Sequence, residues 1–291
     1  MSGTARIAML GDGRRLHLQH GPIDIVAEAF GETAEVGAAY RQAGACFAAI
    51  LGELVAELAL LRRPLGPARP APRGPVAQRM VGACWPHRAR FVTPMAAVAG
   101  AVADEVLAAM TAGRQLSRAY ANNGGDIAVH LGPGTALAAG VVNDPDRPGL
   151  DGRITLGADG PARGLATSGW RGRSLSLGIA DAVTVLARTA AAADAAATLI
   201  ANAVTLDHPA VERAPAASLR EDSDLGTQSV TVAVGPLPAH AIAAALDAGL
   251  AEARAMQRAG LVETARLALQ GETRALAPAE AGGAACAAVA A

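Results

Sequence analysis

Asp194 and Thr198 stand four residues apart in an alanine-rich stretch, TAAAADAAATLIANAV, residues 189 to 204. On a helix that spacing sets a carboxylate and a hydroxyl on one face, about one turn apart. A carboxylate, a hydroxyl, a main-chain carbonyl and the oxygens of a bound phosphate make the sparse protein coordination that Mg²⁺ accepts. The ordinary reading of the same pair is a solvated polar face. Upstream, ANNGGD places Asn123, Gly124, Gly125 and Asp126 before an apolar alternation. Asn and Gly tolerate positive φ and leave backbone N–H groups free, so this turn either reverses the chain or wraps an anion. A third stretch, ATSGW, ends a strand with Thr167, Ser168, Gly169 and Trp170. Hydroxyls and free N–H groups suit phosphate and an indole suits a planar ring; a strand-end turn with a packing tryptophan accounts for the same residues.

Other polar groups carry weaker chemistry. EDSDLG concentrates Glu221, Asp222 and Asp224 before a strand, where a second metal or an ordinary Asx-type turn would use the same residues. His17 and His20 lie three apart on an expected strand and so face opposite ways, which gives no ligand pair. His87 and His130 read as polar edge residues, and Cys84, near Trp85, reads as a buried thiol. The three cysteines, Cys46, Cys84 and Cys286, form no C-x-x-C pair, so a disulfide framework or structural zinc is not expected.

These groups need a scaffold, and the pattern supplies one. Residues 5 to 27 read as a hairpin around Gly11, Asp12 and Gly13 followed by another strand. Apolar residues at helical spacing from 35 to 62 predict a helix broken or kinked near Gly44. The proline-rich run at 62 to 75 predicts an extended surface connection. Thr93 and Pro94 open a helix to 112 with small residues at 96, 97, 100 and 101 that allow close approach of another backbone. Strands are expected through AYANNGGDIAVHLG, GRITLGADGPARGLATSGW, ADAVTVLAR and QSVTVAV, with a helix at 189 to 204 and two more at 238 to 258 and 260 to 268. Antiparallel strand groups separated by long helices indicate an α+β fold, one domain over residues 1 to 275, with a disordered tail at 276 to 291.

Composition removes whole classes of function. All 25 basic side chains are arginine, so Schiff-base chemistry and a Walker-type phosphate loop, both of which need lysine, are excluded. The net charge of −1 and aromatic content of 2% lack the footprint of a nucleic-acid binder. Apolar content is 52% but is largely alanine interrupted by charge, and the amino terminus has no signal-like run, so the expectation is a cytoplasmic protein with no membrane partner.

In order, these pieces form a helix with Gly100 and Asp104, the turn Gly124-Gly125-Asp126, the strand end Ala166-Thr167-Ser168-Gly169, and the helix Ala193-Asp194-Ala195-x-x-Thr198. Over residues 94 to 204 the chain resembles the ApbE family of FAD:protein FMN transferases, as a divergent branch. The resemblance implies a T-fold-like, duplicated architecture of antiparallel sheets and long helices. It further implies Mg²⁺ at Asp194 and Thr198, FAD as ligand or substrate, and Asn123, Gly124, Gly125, Asp126, Gly100, Asp104, Thr167, Ser168 and Gly169 beside the dinucleotide. The implied reaction moves FMN onto a threonine of an acceptor flavoprotein. The stretch from Trp170 to Val183 is too short for the family's His-x-x-Asp-Pro-x-Thr-Gly segment, and only Asp181 echoes its aspartate. Two alternatives therefore stand beside transfer: a flavin- or nucleotide-binding module without catalysis, and a biosynthetic enzyme acting on another phosphorylated substrate. Homo-oligomer formation through the small-residue helix stays open.

Overall fold

Strand alternation and helical spacing combine in one long antiparallel sheet with helices laid on one face. The computed structural model describes residues 4–142 and 149–278. The chain begins with β1 (Arg6–Met9), β2 (Leu16–His20), β3 (Ile23–Gly31), α1 (Thr33–Ala56), the short α2 (Leu58–Leu61), α3 (Pro75–Cys84) and α4 (Val98–Thr111). It continues with β4 (Leu116–Asn123), β5 (Asp126–Leu131), β6 (Ala136–Val141), β7 (Gly152–Gly157), β8 (Gly164–Ser168), β9 (Ala182–Ala187) and α5 (Ala190–Ala203). Last come β10 (Val211–Pro215), α6 (Ala216–Leu219), β11 (Ser229–Val234), α7 (Ala239–Arg258), β12 (Thr264–Leu269) and β13 (Glu272–Leu276).

Nine strands form the main sheet in the order β1-β2-β3-β4-β5-β8-β9-β12-β13, and every neighbouring pair is antiparallel. The order has a pattern. β2–β3 and β4–β5 flank the helices α1 to α4, and β8–β9 and β12–β13 flank α5 to α7. Because side chains alternate across a strand, the two faces bury different sets. Ala128, Ala166, Val183 and Val185 belong to the large core under the helices. Their neighbours Val129, Leu165 and Leu186 pack with Ile154 and Leu156 of the separate β6–β7 ribbon on the other side. Small residues under the helices let α4 and α5 settle close to the sheet and to each other.

Several expectations need correction. The first long helix does not break at Gly44; α1 runs unbroken for 24 residues, and the side chain of Ile7 from β1 packs where a Cβ at Gly44 would sit. The break falls at Glu57, whose carboxylate accepts from the amides of Arg73 at 2.7 Å and Gly74 at 2.8 Å and so caps the start of α3. That helix was hidden by the proline run preceding it; Pro75 occupies its first turn, where no N–H is needed. The short strands β6 and β10 were likewise unforeseen. Residues 260 to 268 are not helical. Leucine and alanine favour helix there by propensity, but Thr264–Leu269 is hydrogen-bonded on both edges, to β9 and to β13, and pairing in the sheet overrides propensity. The expected disordered tail falls almost wholly on residues 279 to 291, outside the described residues. Among the described residues one helical stretch, Pro94–Thr111, is long and apolar enough to cross a membrane, with mean hydropathy 1.3; half of it is buried inside the protein, where α4 serves as a core helix.

Candidate functional site

The site is organised by the crossing of α4 and α5 at their amino-terminal turns. Gly100 lies at the contact: a Cβ there would run into the main chain of Ala190 and Ala191, so only glycine permits this approach. Each helix carries an aspartate four residues beyond the contact, and each aspartate caps the other helix. Asp104 Oδ1 accepts from Ala190 N at 3.0 Å and its Oδ2 from Ala191 N at 2.9 Å. Asp194 Oδ2 accepts from Gly100 N at 3.0 Å, and the amide of Ala99 also favours its charged form. First-turn amides lack intrahelical partners and sit at the positive end of the helix dipole, so both carboxylates are well placed electrostatically. The need is clearest for α4, which has no side-chain cap of its own, whereas Thr189 Oγ1 also caps α5 through Ala192 N at 3.1 Å.

Beyond Asp194 lies the β4–β5 turn. Asn123 pairs with Asp126 across the hairpin, and the two residues between them, Gly124 and Gly125, have φ of +65° and +109°. Two consecutive positive φ values are what a tight two-residue hairpin demands, which explains the glycine pair. The turn therefore reverses the chain, and its polar groups are largely engaged: Gly125 N donates to Asn122 Oδ1 at 2.8 Å and Asn123 Nδ2 donates to Ala99 O at 3.1 Å. That second bond ties the turn to the start of α4. Asp126 is buried, and its Oδ1 accepts from Thr167 N at 3.3 Å. Over the turn lies Arg173, whose guanidinium occupies the space that a Cβ on Gly124 would need and favours the charged form of Asp126.

Thus the structure brings Gly100, Asn123, Gly124, Gly125, Asp126, Thr167 and Asp194 into one neighbourhood. Thr198 lies one turn along α5 from Asp194, half-buried. Asp104 faces away, with both oxygens held by the α5 amides. Thr167 is exposed at the end of β8 and its hydroxyl meets that of Thr184 on β9 at 2.9 Å; Ser168 pairs with Val183 in the same register. Gly169 is where the chain turns tightly against the carbonyl of Asp181. Trp170 is a packing residue: its Nε1 donates to Asp181 Oδ1 at 3.2 Å and Arg171 stacks over its ring at 4.8 Å. Asp181 also accepts from Arg171 Nε at 2.8 Å and from Gln270 N at 2.5 Å, so it buckles the loop instead of facing the turn.

Other candidates separate. Asp222 pairs with Arg62 at 2.9 Å, Asp224 accepts from the Thr93 hydroxyl, and Glu221 is exposed. Among the described residues no group of three or more His, Cys, Asp or Glu side chains could hold a metal. Cys84 is buried and burial pushes its thiol up strongly. His17 bonds Asp24 at 3.0 Å, and His20 lies buried on the opposite face of β2. His87, expected at an edge, is instead buried in a cleft. Arg173 escaped sequence reading because RGRS follows Trp170 with no motif, and only folding lays it over Gly124.

Charge makes the Asp126–Asp194 neighbourhood unusual. Burial raises Asp194 to about 7, against the pull of the Gly100 and Ala99 amides. Burial, then the charge of Asp194, raises Asp126 well above the ordinary carboxylate range, and the Thr167 amide and Arg173 only partly offset this. Two such carboxylates cannot both ionise freely; they either share a proton or admit a cation.

A family model described as AbpE bacteria matches residues 7–275. Among curated proteins, the chain is similar to a UPF0280 protein of Methanopyrus kandleri, 42% identical over 125 residues, covering 42% of this chain and 48% of that protein. It is also similar to a UPF0280 protein of Methanothrix thermoacetophila, 38% identical over 135 residues, covering 46% and 54% respectively. A third, from Methanothermobacter thermautotrophicus, is 37% identical over 138 residues, 44% of this chain and 48% of the relative. The matched stretch thus spans about half the length of these relatives.

Proposed function

The chain belongs to the family described as AbpE bacteria, and from that premise we propose that it binds a phosphate-bearing cofactor, FAD, together with Mg²⁺ held at Asp194 and Thr198. The observation that carries this reading is the close pair of carboxylates, buried Asp126 and half-buried Asp194, each of which resists ionisation. A divalent cation relieves that repulsion, and hard oxygen donors are what Mg²⁺ takes. The donor set fits: Asp194 Oδ2 accepts from Gly100 N, and Thr198 adds a hydroxyl a turn away. The repeated order of two strand pairs around helices, in each half of the sheet, supports the duplicated T-fold-like architecture that the resemblance implies.

Within such a site the chain's own groups have distinct tasks. Gly124 and Gly125 present no side chains, so a pyrophosphate can approach the hairpin closely. Arg173 supplies a cation over the same turn and can pair with phosphate oxygens. Asp194 and Asp126 hold the negative wall against which a cation is seated. When bound, Mg²⁺ supplies neutralisation of charge on the pyrophosphate. The reaction class this serves is transfer of FMN from FAD to a threonine hydroxyl of an acceptor protein, with AMP leaving.

A specific observation favours a second reading, a flavin-binding module without transfer. Asp181, the only echo of the transferases' His-x-x-Asp-Pro segment, is held by Trp170, Arg171 and Gln270 and does not face the carboxylate pair. Calorimetric titration of metal-free protein with FAD, with and without Mg²⁺, tests the binding. Mg²⁺-dependent binding that disappears in Asp194→Asn is the expected result; binding indifferent to both sinks the metal site. Analysis of the same mixtures for AMP, with a threonine-bearing acceptor present, separates transferase from module.

A further inference from the structure

We propose that the cleft at the amino-terminal end of α5 is a second ligand site, distinct from the Asp126–Asp194 neighbourhood, and that it takes a phosphate-type oxyanion held by Arg79, His87 and Arg188. The cleft has a volume of about 360 Å³ and is walled by α3, the loop carrying His87, the start of α5 and Leu261. That volume suits a small ligand or the anionic end of a larger one.

His87 is the residue that first marks the cleft. It is 8% exposed, lines the cleft, and its ring has no hydrogen-bond partner among the described residues. Its ring nitrogens are open to the cleft, where a donor or acceptor from outside the chain can reach them. Two arginines with free donors converge on the same space. Arg79 gives its Nε to Glu105 at 2.7 Å, leaving its two terminal nitrogens without a bond among the described residues. Arg188 is largely exposed and its acidic neighbour, Glu263, lies at 3.8 Å, beyond hydrogen-bond reach.

The helix end adds field more than donors. Asp104 holds the amides of Ala190 and Ala191, and Thr189 those of Ala192 and Ala193. Recognition therefore comes from the side chains, aided by the positive end of a 14-residue helix. Asp104 is the one acid on the wall, and each of its oxygens is already tied to an amide. A cation finds too few oxygen ligands here. A tetrahedral oxyanion, in contrast, offers acceptors in several directions to donors arriving from three elements, and planar guanidinium groups match it well.

The test follows the His87 ring signals by NMR in the full chain while inorganic phosphate is added at constant ionic strength, with sodium chloride as control. The expected result is a saturable movement of the His87 signals and a rise of its pKa from the present value of about 4, which burial and then Arg90 hold down, because a bound anion favours the charged ring. Arg188→Ala, at an exposed position that leaves the fold intact, should weaken phosphate affinity about tenfold. Phenyl phosphate binding tighter than the free ion would identify an esterified phosphate as the ligand, and equal binding the free ion; either supports the site. No saturable movement under phosphate, an equal movement under chloride, or full affinity in Arg188→Ala overturns it. Asp194→Asn should leave the His87 response unchanged, so failure of the FAD reading and failure of this one are told apart.

Discussion

The two ends of the α4–α5 crossing use the same device and come to different chemistry. Asp104 and Asp194 each stand four residues past the contact, and each caps the partner helix. Around Asp104 burial raises the carboxyl, and the Ala191 and Ala190 amides and the positive Arg79 offset part of that rise. Beside Asp194, in contrast, stands another carboxylate, the buried Asp126, and Asp194 itself is raised to about 7. A capping carboxylate is thus structural or chemically available according to what else the tertiary fold sets beside it. Position relative to the contact is the same in both cases.

The bluntest way to break the comparison is Gly100→Ala. Its methyl would meet the Ala190 and Ala191 main chain, which cannot yield as a flexible side chain would, so both caps loosen together. Urea unfolding should show a loss of about 3 kcal/mol; a loss below about 1 kcal/mol would mean that the helices part freely and the contact is not tight.

Next in size comes the removal of one cap. Asp104→Ala leaves two first-turn amides of α5 without acceptors and should cost about 2 kcal/mol. Asp194→Asn keeps an acceptor for Gly100 N and relieves repulsion with Asp126, so its stability at pH 8 should stay within about 1 kcal/mol of wild type. Equal losses in the two variants, read from the same unfolding experiment, would erase the distinction drawn between the ends.

A pH series sharpens it further. A carboxylate raised in the folded state keeps its proton where the unfolded chain, near the ordinary value of about 4, has released it. The folded state then binds more protons, and stability must fall as pH rises from about 4 to about 7, levelling off above. Asp194, raised to about 7, sets this window, and Asp126 and Asp104, both raised by burial, add to the decline. The measurement is thermal unfolding across pH, in which Asp194→Asn should flatten the decline and Mg²⁺ should raise the wild-type Tm at pH 8. A flat wild-type profile would show that the pair ionises unhindered.

The smallest effect on stability is expected from Arg173→Ala. Arg173 makes no hydrogen bond through its side chain to the described residues, so stability should change by less than about 1 kcal/mol. FAD affinity in the presence of Mg²⁺ should fall several-fold, measured by calorimetry, because the cation over the Gly124 turn is lost. Unchanged affinity would remove Arg173 from the site.

Much of the scaffold was legible because its signals are local. The hairpin at Gly124-Gly125, the helix capped by Thr189 and the strand at residues 182 to 187 follow from turn chemistry, capping and apolar alternation. Where local signals conflict with long-range pairing, the sequence misled: Thr264–Leu269 has helix-favouring residues yet lies between β9 and β13, and α3 hides behind prolines that stop one element and start another. The site divides in the same way. Asp194 and Asp126 were found from residue types and motif order; Arg173 and His87 carry no motif and were not.

The sequence by itself determined the α+β content, the tight turn, the small-residue contact at Gly100 and the absence of lysine-dependent chemistry, because each depends on residue type or near-neighbour spacing. Tertiary structure alone decided which aspartate meets a second carboxylate, which has both oxygens tied to helix amides, and that an arginine and a histidine from unrelated loops face open space. Those outcomes depend on distances between residues dozens of positions apart, where burial and Coulomb interaction set the cost of charge, and no spacing along the chain encodes them.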